Sequence, residues 1–526
     1  MELTMPPKKD RYEPLLQNNP QRPIHNVTVD VVVDEESTTA TNSILPYEWP
    51  NVYDETNDML LSAILMYGMV DLRTLARSEQ FQNDLLMRKL LALPISAKDV
   101  VILLTQHEAA IKETFGDEAC DLYLDAFDSI QNATALPRRA QETEQEIELT
   151  HSGSFSLVSD SFDVVVVEDT NQEEELVFAI CVDTARRRIT VLFRGCSTQM
   201  DWQIAASNFL KERDNPLFDD LHNNNNNNNQ QHQHKQPEKI SIHQGYCSYL
   251  FRTNSTTGAS KFDTIIYHVQ SLLQQHPGYQ IYVTGHSLGA ALATVFAFQA
   301  AATQQFGLIT CINFASPKVG NLSFEKVFRT LECQGKIRCL RVTNYFDIFT
   351  QLPDRGNWLY VYVCCWGFHI FAYIGWTLLF FLCFQKNVYR HVGMDLHMYR
   401  SVRRRRRGFF CCSEKGGGDN TSSESFSYVI KHSQGTSRNF IWRVARDWKT
   451  HMKQTIQRIL AIPYAFNFKT NHGPQEHLTR LNHLSVQLEG VYLKELYEHE
   501  TTTQSQSQSQ RPTTTTTNID VEMYSL

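Results

Sequence analysis

The segment Ile281-Tyr-Val-Thr-Gly-His-Ser-Leu-Gly-Ala290 constrains the fold of this chain more than any other. Ile281 and Val283 alternate as in a short strand, and the run Ala290, Ala291, Ala293, Ala297 and Ala300 has the propensity of a helix. Between them Gly285-His286-Ser287-Leu288-Gly289 must turn the chain sharply, which the two flanking glycines permit. Strand, Gly-x-Ser-x-Gly and helix in succession make a nucleophile elbow, which exposes a serine hydroxyl above the end of a sheet. Five residues of that pattern arise readily by chance. The strand before and the alanine-rich helix after make it specific, and Ser287 is the candidate nucleophile.

An elbow serine works with a histidine base and a carboxylate that orients it, in the chain order Ser, Asp, His. Ile337 to Thr343 alternates like a buried strand and opens into Asn344-Tyr-Phe-Asp347. Asp347 thus stands just past a strand end, where sheets of this class carry their functional loops. Asp354 competes, but it lies in a Pro-Asp-Arg-Gly turn that accounts for it without chemistry. His369, His391, His397, His432, His451, His472, His477 and His483 all follow Asp347, and spacing does not choose a base among them.

Four stretches resemble the class 3 (fungal-type) lipase family of α/β-hydrolases. They are Thr190-Val-Leu-Phe-Arg-Gly-Cys-Ser197 with Asp201-Trp202, Gly285 to Gly289, Asn313-Phe-Ala-Ser-Pro-Lys-Val-Gly-Asn321, and Asn344 to Pro353. Together they cover roughly residues 185–355, and Tyr389-Arg-His391-Val-Gly393 and Asn482-His483-Leu-Ser485 are similar to two later histidine motifs. The resemblance implies an α/β-hydrolase fold, a mostly parallel sheet flanked by helices. It also implies that His483 is the base and His391 a scaffold residue, completing a triad Ser287, Asp347, His483. The implied oxyanion hole consists of the backbone N–H groups of Cys196 and Leu288, each able to contribute on the order of 3 kcal/mol to a transition state. Family members commonly carry Ser or Thr where this chain has Cys196, and Ala290 replaces a more usual glycine. The implied activity is serine-dependent hydrolysis of carboxylic esters of acylglycerols or related glycerolipids, without metal or cofactor. The alternatives are acyl transfer on the same triad, or an inactive lipid-binding scaffold.

The remainder of the 526 residues divides by composition. Residues 1–45 read as a polar, disordered leader without the pattern of a secretory signal, and residues 46–145 as a helical N-terminal region. Met59 to Leu75, Asp99 to Phe115 and Phe262 to Leu273 carry helical spacing. The apolar run Met59 to Val70 is too short to span a bilayer and reads as a helix packed on the hydrolase domain, 150–497. Within that domain, 203–242 reads as a lid with a low-complexity Asn/Gln/His insert, and 401–435 as a basic, glycine-rich loop. Residues 498–526 read as a disordered tail. The twelve cysteines show no zinc or disulfide spacing, and a net charge of −8 argues against nucleic acid as a partner.

Trp358 to Phe384 runs for about 27 residues without Asp, Glu, Lys or Arg, enough for a transmembrane helix. A single crossing would separate Ser287 and Asp347 from His483, which leaves a re-entrant or in-plane hairpin turning near Gly367 or Gly375, or a true span and an inactive enzyme; the hairpin is expected. Arg403 to Arg407, followed by Phe409-Phe410-Cys411-Cys412, suits anionic headgroups, and Arg438 to Arg458 has the pattern of a basic interfacial helix. These features together imply a membrane-associated protein whose hydrolase domain faces the cytosol, with a lipid substrate and a membrane surface as partners.

Overall fold

The computed structural model describes residues 50–145, 162–171, 175–207, 209–217, 238–254, 258–304, 306–345, 347, 349–353, 389–402, 424–432 and 471–497. The chain divides into two units, Met1–Glu48 and Trp49–Leu526, and the described residues belong to the second. Trp358–Phe384, the poly-Asn insert, Arg403–Arg407, Cys411, Cys412, Arg438–Arg458 and the two terminal tracts lie outside the described residues.

Among the described residues, a nine-stranded mixed sheet organises the second unit. It uses β1 (Ile95–Ser96), β2 (Phe162–Glu168), β3 (Phe178–Asp183) and β4 (Arg188–Phe193). Chain β5 (Leu210–Asp214) and β6 (Lys239–His243) form a separate antiparallel ribbon. The main sheet continues with β7 (Gln280–Gly285), β8 (Ile309–Phe314), β9 (Ile337–Asn344), β10 (Met394–Val402) and β11 (Glu424–His432), in the order β1-β2-β3-β4-β7-β8-β9-β10-β11. Strands β4, β7, β8, β9 and β10 run parallel, while both edges are antiparallel. Residues 424–432, read from sequence as part of a basic loop, pair in full register with β10 as its edge partner.

The central strands read as continuous apolar runs because both faces are covered. On β7, Ile281 and Val283 point into one cluster, built largely on helix α5, and Tyr282 into the other, built largely on helix α1. Seven helices matter to the site. They are α1 (Val52–Ala76), α2 (Asp117–Gln145), α3 (Gln199–Ala206), α4 (Lys261–Gln275), α5 (Leu288–Thr303), α6 (Leu322–Cys333) and α7 (Pro474–His483). The expected helix from Asp99 to Phe115 divides at His107 into Ala97–Gln106 and Glu108–Phe115.

Helix α1 starts where Asn51 accepts a hydrogen bond from the Asp54 amide, a side-chain N-cap. It is long and apolar enough to cross a membrane, yet 83% of its most apolar window is buried in the fold. It lies across β4, β7 and β8, as a packed helix, with α2 and α7 against it. The Tyr282 hydroxyl donates to Glu55 Oε1 at 2.6 Å, and Arg338 Nη2 donates to the same oxygen at 3.1 Å. Glu55, buried between helix and sheet, is therefore paired through Oε1, as burial requires of a carboxylate.

Candidate active site

The elbow forms as its sequence demands. Ser287 has φ +56° and ψ −121°, a conformation that costs a non-glycine residue about 1–3 kcal/mol and persists only where its surroundings hold it. The Ser287 amide donates to the Phe314 carbonyl at 2.9 Å. A Cβ at Gly285 would fall 2.5 Å from the Gly289 carbonyl carbon, and one at Gly289 only 2.2 Å from the Phe193 carbonyl oxygen. Both glycines are required because β4, β7 and the first turn of α5 converge there.

Asp347 is buried just beyond β9, as read from sequence, and its Oδ1 accepts from the Phe349 amide at 3.0 Å. The histidine that meets it is His472. Its Nδ1 lies 2.9 Å from Asp347 Oδ2 and 3.1 Å from Oδ1, and its Nε2 lies 2.8 Å from Ser287 Oγ. A carboxylate only accepts, so Nδ1 carries the proton and the neutral ring presents an Nε2 lone pair to the serine hydroxyl.

His483 does not reach this constellation, which corrects the assignment taken from the resemblance. It is the last residue of α7, exposed, with its ring stacked on Phe426 at 4.1 Å. A helix rises about 1.5 Å per residue, so the far end of α7 is on the order of 15 Å from His472. The local signal for His472 is its position before Gly473-Pro474. Pro474 starts the helix and Gly473 is its N-cap, so His472, itself helical with Asn471, stands just before α7 rather than on its flank. Three contacts fix Asn471 and His472. Asn344 Nδ2 donates to the Asn471 carbonyl at 2.9 Å, Arg480 Nη2 donates to Asn471 Oδ1 at 2.8 Å, and His286 Nε2 lies 2.6 Å from the His472 carbonyl oxygen.

The loop after β4 carries Cys196, and Asp201 organises it. Asp201 Oδ2 accepts from the amides of Ser197 and Thr198 at 3.0 and 3.1 Å and from Arg194 Nη2 at 3.2 Å, while Oδ1 accepts from the Tyr249 hydroxyl at 2.8 Å. Thr198 returns the bond as the N-cap of α3, a capping box with Asp201. Burial and then the Asp201 charge push the Cys196 thiol up to about 12, although the Leu288 amide and its own amide both favour the thiolate. The sulfur is thus a protonated thiol, and the amides of Leu288 and Cys196 converge on it. Outside, Trp202 is 46% exposed, with its ring 5.9 Å from Phe349, whose ring lies 4.4 Å from His472. His391, the expected scaffold residue, precedes Gly393, whose φ of +75° and close approach to Cys339 exclude a side chain.

This arrangement is that of an α/β-hydrolase, and residues 190–356 match the model of the family described as lipase (class 3). The resemblance read from the motifs thus holds over those residues. The phospholipase A(1) DAD1, chloroplastic, of Arabidopsis thaliana is 29% identical over 185 residues, 33% of this chain and 37% of that one. The galactolipase DONGLE, chloroplastic, of the same plant is 30% identical over 186 residues, 32% of this chain and 34% of that one. The chain therefore spans about a third of the length of these relatives. Among solved structures, lipase II from Rhizopus niveus superimposes with a TM-score of 0.29 at 16% identity, covering 45% of this chain and 66% of that one.

Proposed function

We propose that the protein is a serine-dependent carboxylic ester hydrolase that acts on acylglycerols or related glycerolipids at a membrane surface. The observation that carries this reading is the continuous line Asp347–His472–Ser287, with hydrogen-bond distances of 2.9 and 2.8 Å. In the proposed reaction His472 Nε2 takes the Ser287 hydroxyl proton as Oγ attacks the ester carbonyl. Asp347 holds the imidazole in the required tautomer and stabilises the imidazolium. The tetrahedral oxyanion is stabilised by the amides of Leu288 and Cys196 once the Cys196 side chain, on which they converge, gives way to it. The alcohol leaves with the proton from His472, and water, deprotonated by the same nitrogen, releases the acid from Ser287.

The preference for glycerolipids rests on the class 3 lipase match and on relatives named as a phospholipase A1 and a galactolipase. Membrane action rests on Trp358–Phe384 and the adjoining arginines. Withdrawing an acyl chain from a bilayer exposes apolar surface at about 0.8 kcal/mol per methylene, which a docked site avoids. Labelling by a fluorophosphonate probe and hydrolysis of a dispersed acylglycerol should both be lost in Ser287→Ala. Turnover by that variant at the wild-type rate would rule the reading out, and deletion of Trp358–Phe384 should release the protein from membranes.

A further inference from the structure

Helix α1 lies outside the segment that matches the family model, yet it sends one side chain into the site. Its register on β7 is set by polar contacts from end to end. Glu55 takes the Tyr282 hydroxyl, the Met59 carbonyl takes the Thr284 hydroxyl at 3.3 Å, and the Tyr67 hydroxyl lies 3.1 Å from His286 Nδ1. His286 is the residue between Gly285 and Ser287, and its other nitrogen is 2.6 Å from the His472 carbonyl. A carbonyl only accepts, so His286 Nε2 carries the proton, and Nδ1 of the neutral ring accepts from Tyr67. Burial, with His472 nearby, holds the His286 imidazole down to about 3, and burial pushes the Tyr67 phenol up, so neither charges near neutrality.

The same phenol touches the oxyanion loop. A Cβ built on Gly195 would fall 1.9 Å from Tyr67 Oη, and the Gly195 amide faces that oxygen. Gly195 immediately precedes Cys196. One hydroxyl therefore contacts the loop that presents the Cys196 amide and, through His286, the segment that presents the base. We infer that Tyr67 is a positioning residue that ties the oxyanion loop to the segment bearing His472, so that the N-terminal helix completes the hydrolase site rather than merely covering the sheet. This rests on the proposed Ser287–His472–Asp347 chemistry. Without the hydroxyl, His286 is free to take the Nδ1–H tautomer, which turns an Nε2 lone pair toward the His472 carbonyl and repels it.

Tyr67→Phe removes the hydroxyl and keeps the ring. The expected result is a fall in kcat of about tenfold, the scale of one lost hydrogen bond at a site that must stay preorganised, with KM nearly unchanged. The rate of fluorophosphonate labelling should fall in parallel. His286→Leu should lower kcat at least as much, and the double variant no further, because both act along one line. Wild-type kcat in Tyr67→Phe, or additive losses in the double variant, would overturn the inference. Ser287→Ala in the same assay separates the two readings. If it is inactive while Tyr67→Phe turns over normally, only the role of Tyr67 fails. If it remains active, the triad itself fails. Should Tyr67→Phe not fold, imidazole 15N shifts of the wild-type protein, assigned with His286→Asn, decide the matter. An Nε2–H tautomer at residue 286 is expected at pH 7, and an Nδ1–H tautomer overturns the proposal.

Discussion

His472 Nε2 stands 2.8 Å from Ser287 Oγ, although 185 residues separate the two along the chain. His472→Ala should therefore lower kcat on the order of 10⁴-fold with little change in the folded state. His483→Ala, which removes only a ring stacked on Phe426, should stay within about twofold of wild type. Steady-state hydrolysis of a soluble ester measures both, and the reverse ranking would restore His483 as the base.

Cys196 places a protonated thiol where the two proposed oxyanion amides converge. A thiol is a weak donor, and a hydroxyl of similar shape is a better one. Cys196→Ser should raise kcat by about three- to tenfold, with the backbone donors unchanged. An unchanged kcat would mean that the side chain at 196 does not reach the developing charge.

Burial holds His286 down to about 3 and His243 down to about 4, each from an ordinary value of 6.5. His477 is fully buried beside His286 and Phe314, and burial also holds it well below the ordinary range. The unfolded chain binds protons at these sites below pH 6.5 and the folded chain does not, so stability falls as pH drops from about 6.5 toward 4. Thermal midpoints should be level from pH 7 to 8 and fall by about 5 °C or more between pH 6.5 and 5. A midpoint that rises over that interval would contradict the buried neutral histidines.

Strands β9 and β10 are parallel neighbours, with Leu340 opposite Met394, so the chain leaves the sheet after Asn344 and rejoins the same sheet at Met394. Epitope tags placed before Trp358 and after Phe384 should be accessible from the same side of a sealed vesicle, whatever path those residues take. Protection of one tag only would be incompatible with this sheet.

Gly289→Ala should cost about 3 kcal/mol or more, or prevent folding, because its Cβ meets the Phe193 backbone, which cannot move aside. Gly307→Ala, which meets nothing within 4 Å, should stay within about 0.5 kcal/mol. Denaturant midpoints of the two variants make the comparison.

The sequence alone determined the elements whose signals are local. The β7–Ser287–α5 elbow was legible because Gly285 and Gly289 report a backbone collision at that spot, and Asp347 because it follows an unmistakable strand. Helix α4 was legible from its apolar spacing and ended within two residues of the Pro277-Gly278 break. The proposed base, His472, emerges only from the tertiary structure. Asn471-His472 and Asn482-His483 look alike along the chain, and only the start of α7 faces Asp347 while its end faces Phe426. The same holds for Tyr67. Nothing in the spacing of α1 distinguishes that tyrosine from its apolar neighbours until the helix is laid along β7, because a hydrogen bond between residues 219 positions apart leaves no periodicity to read.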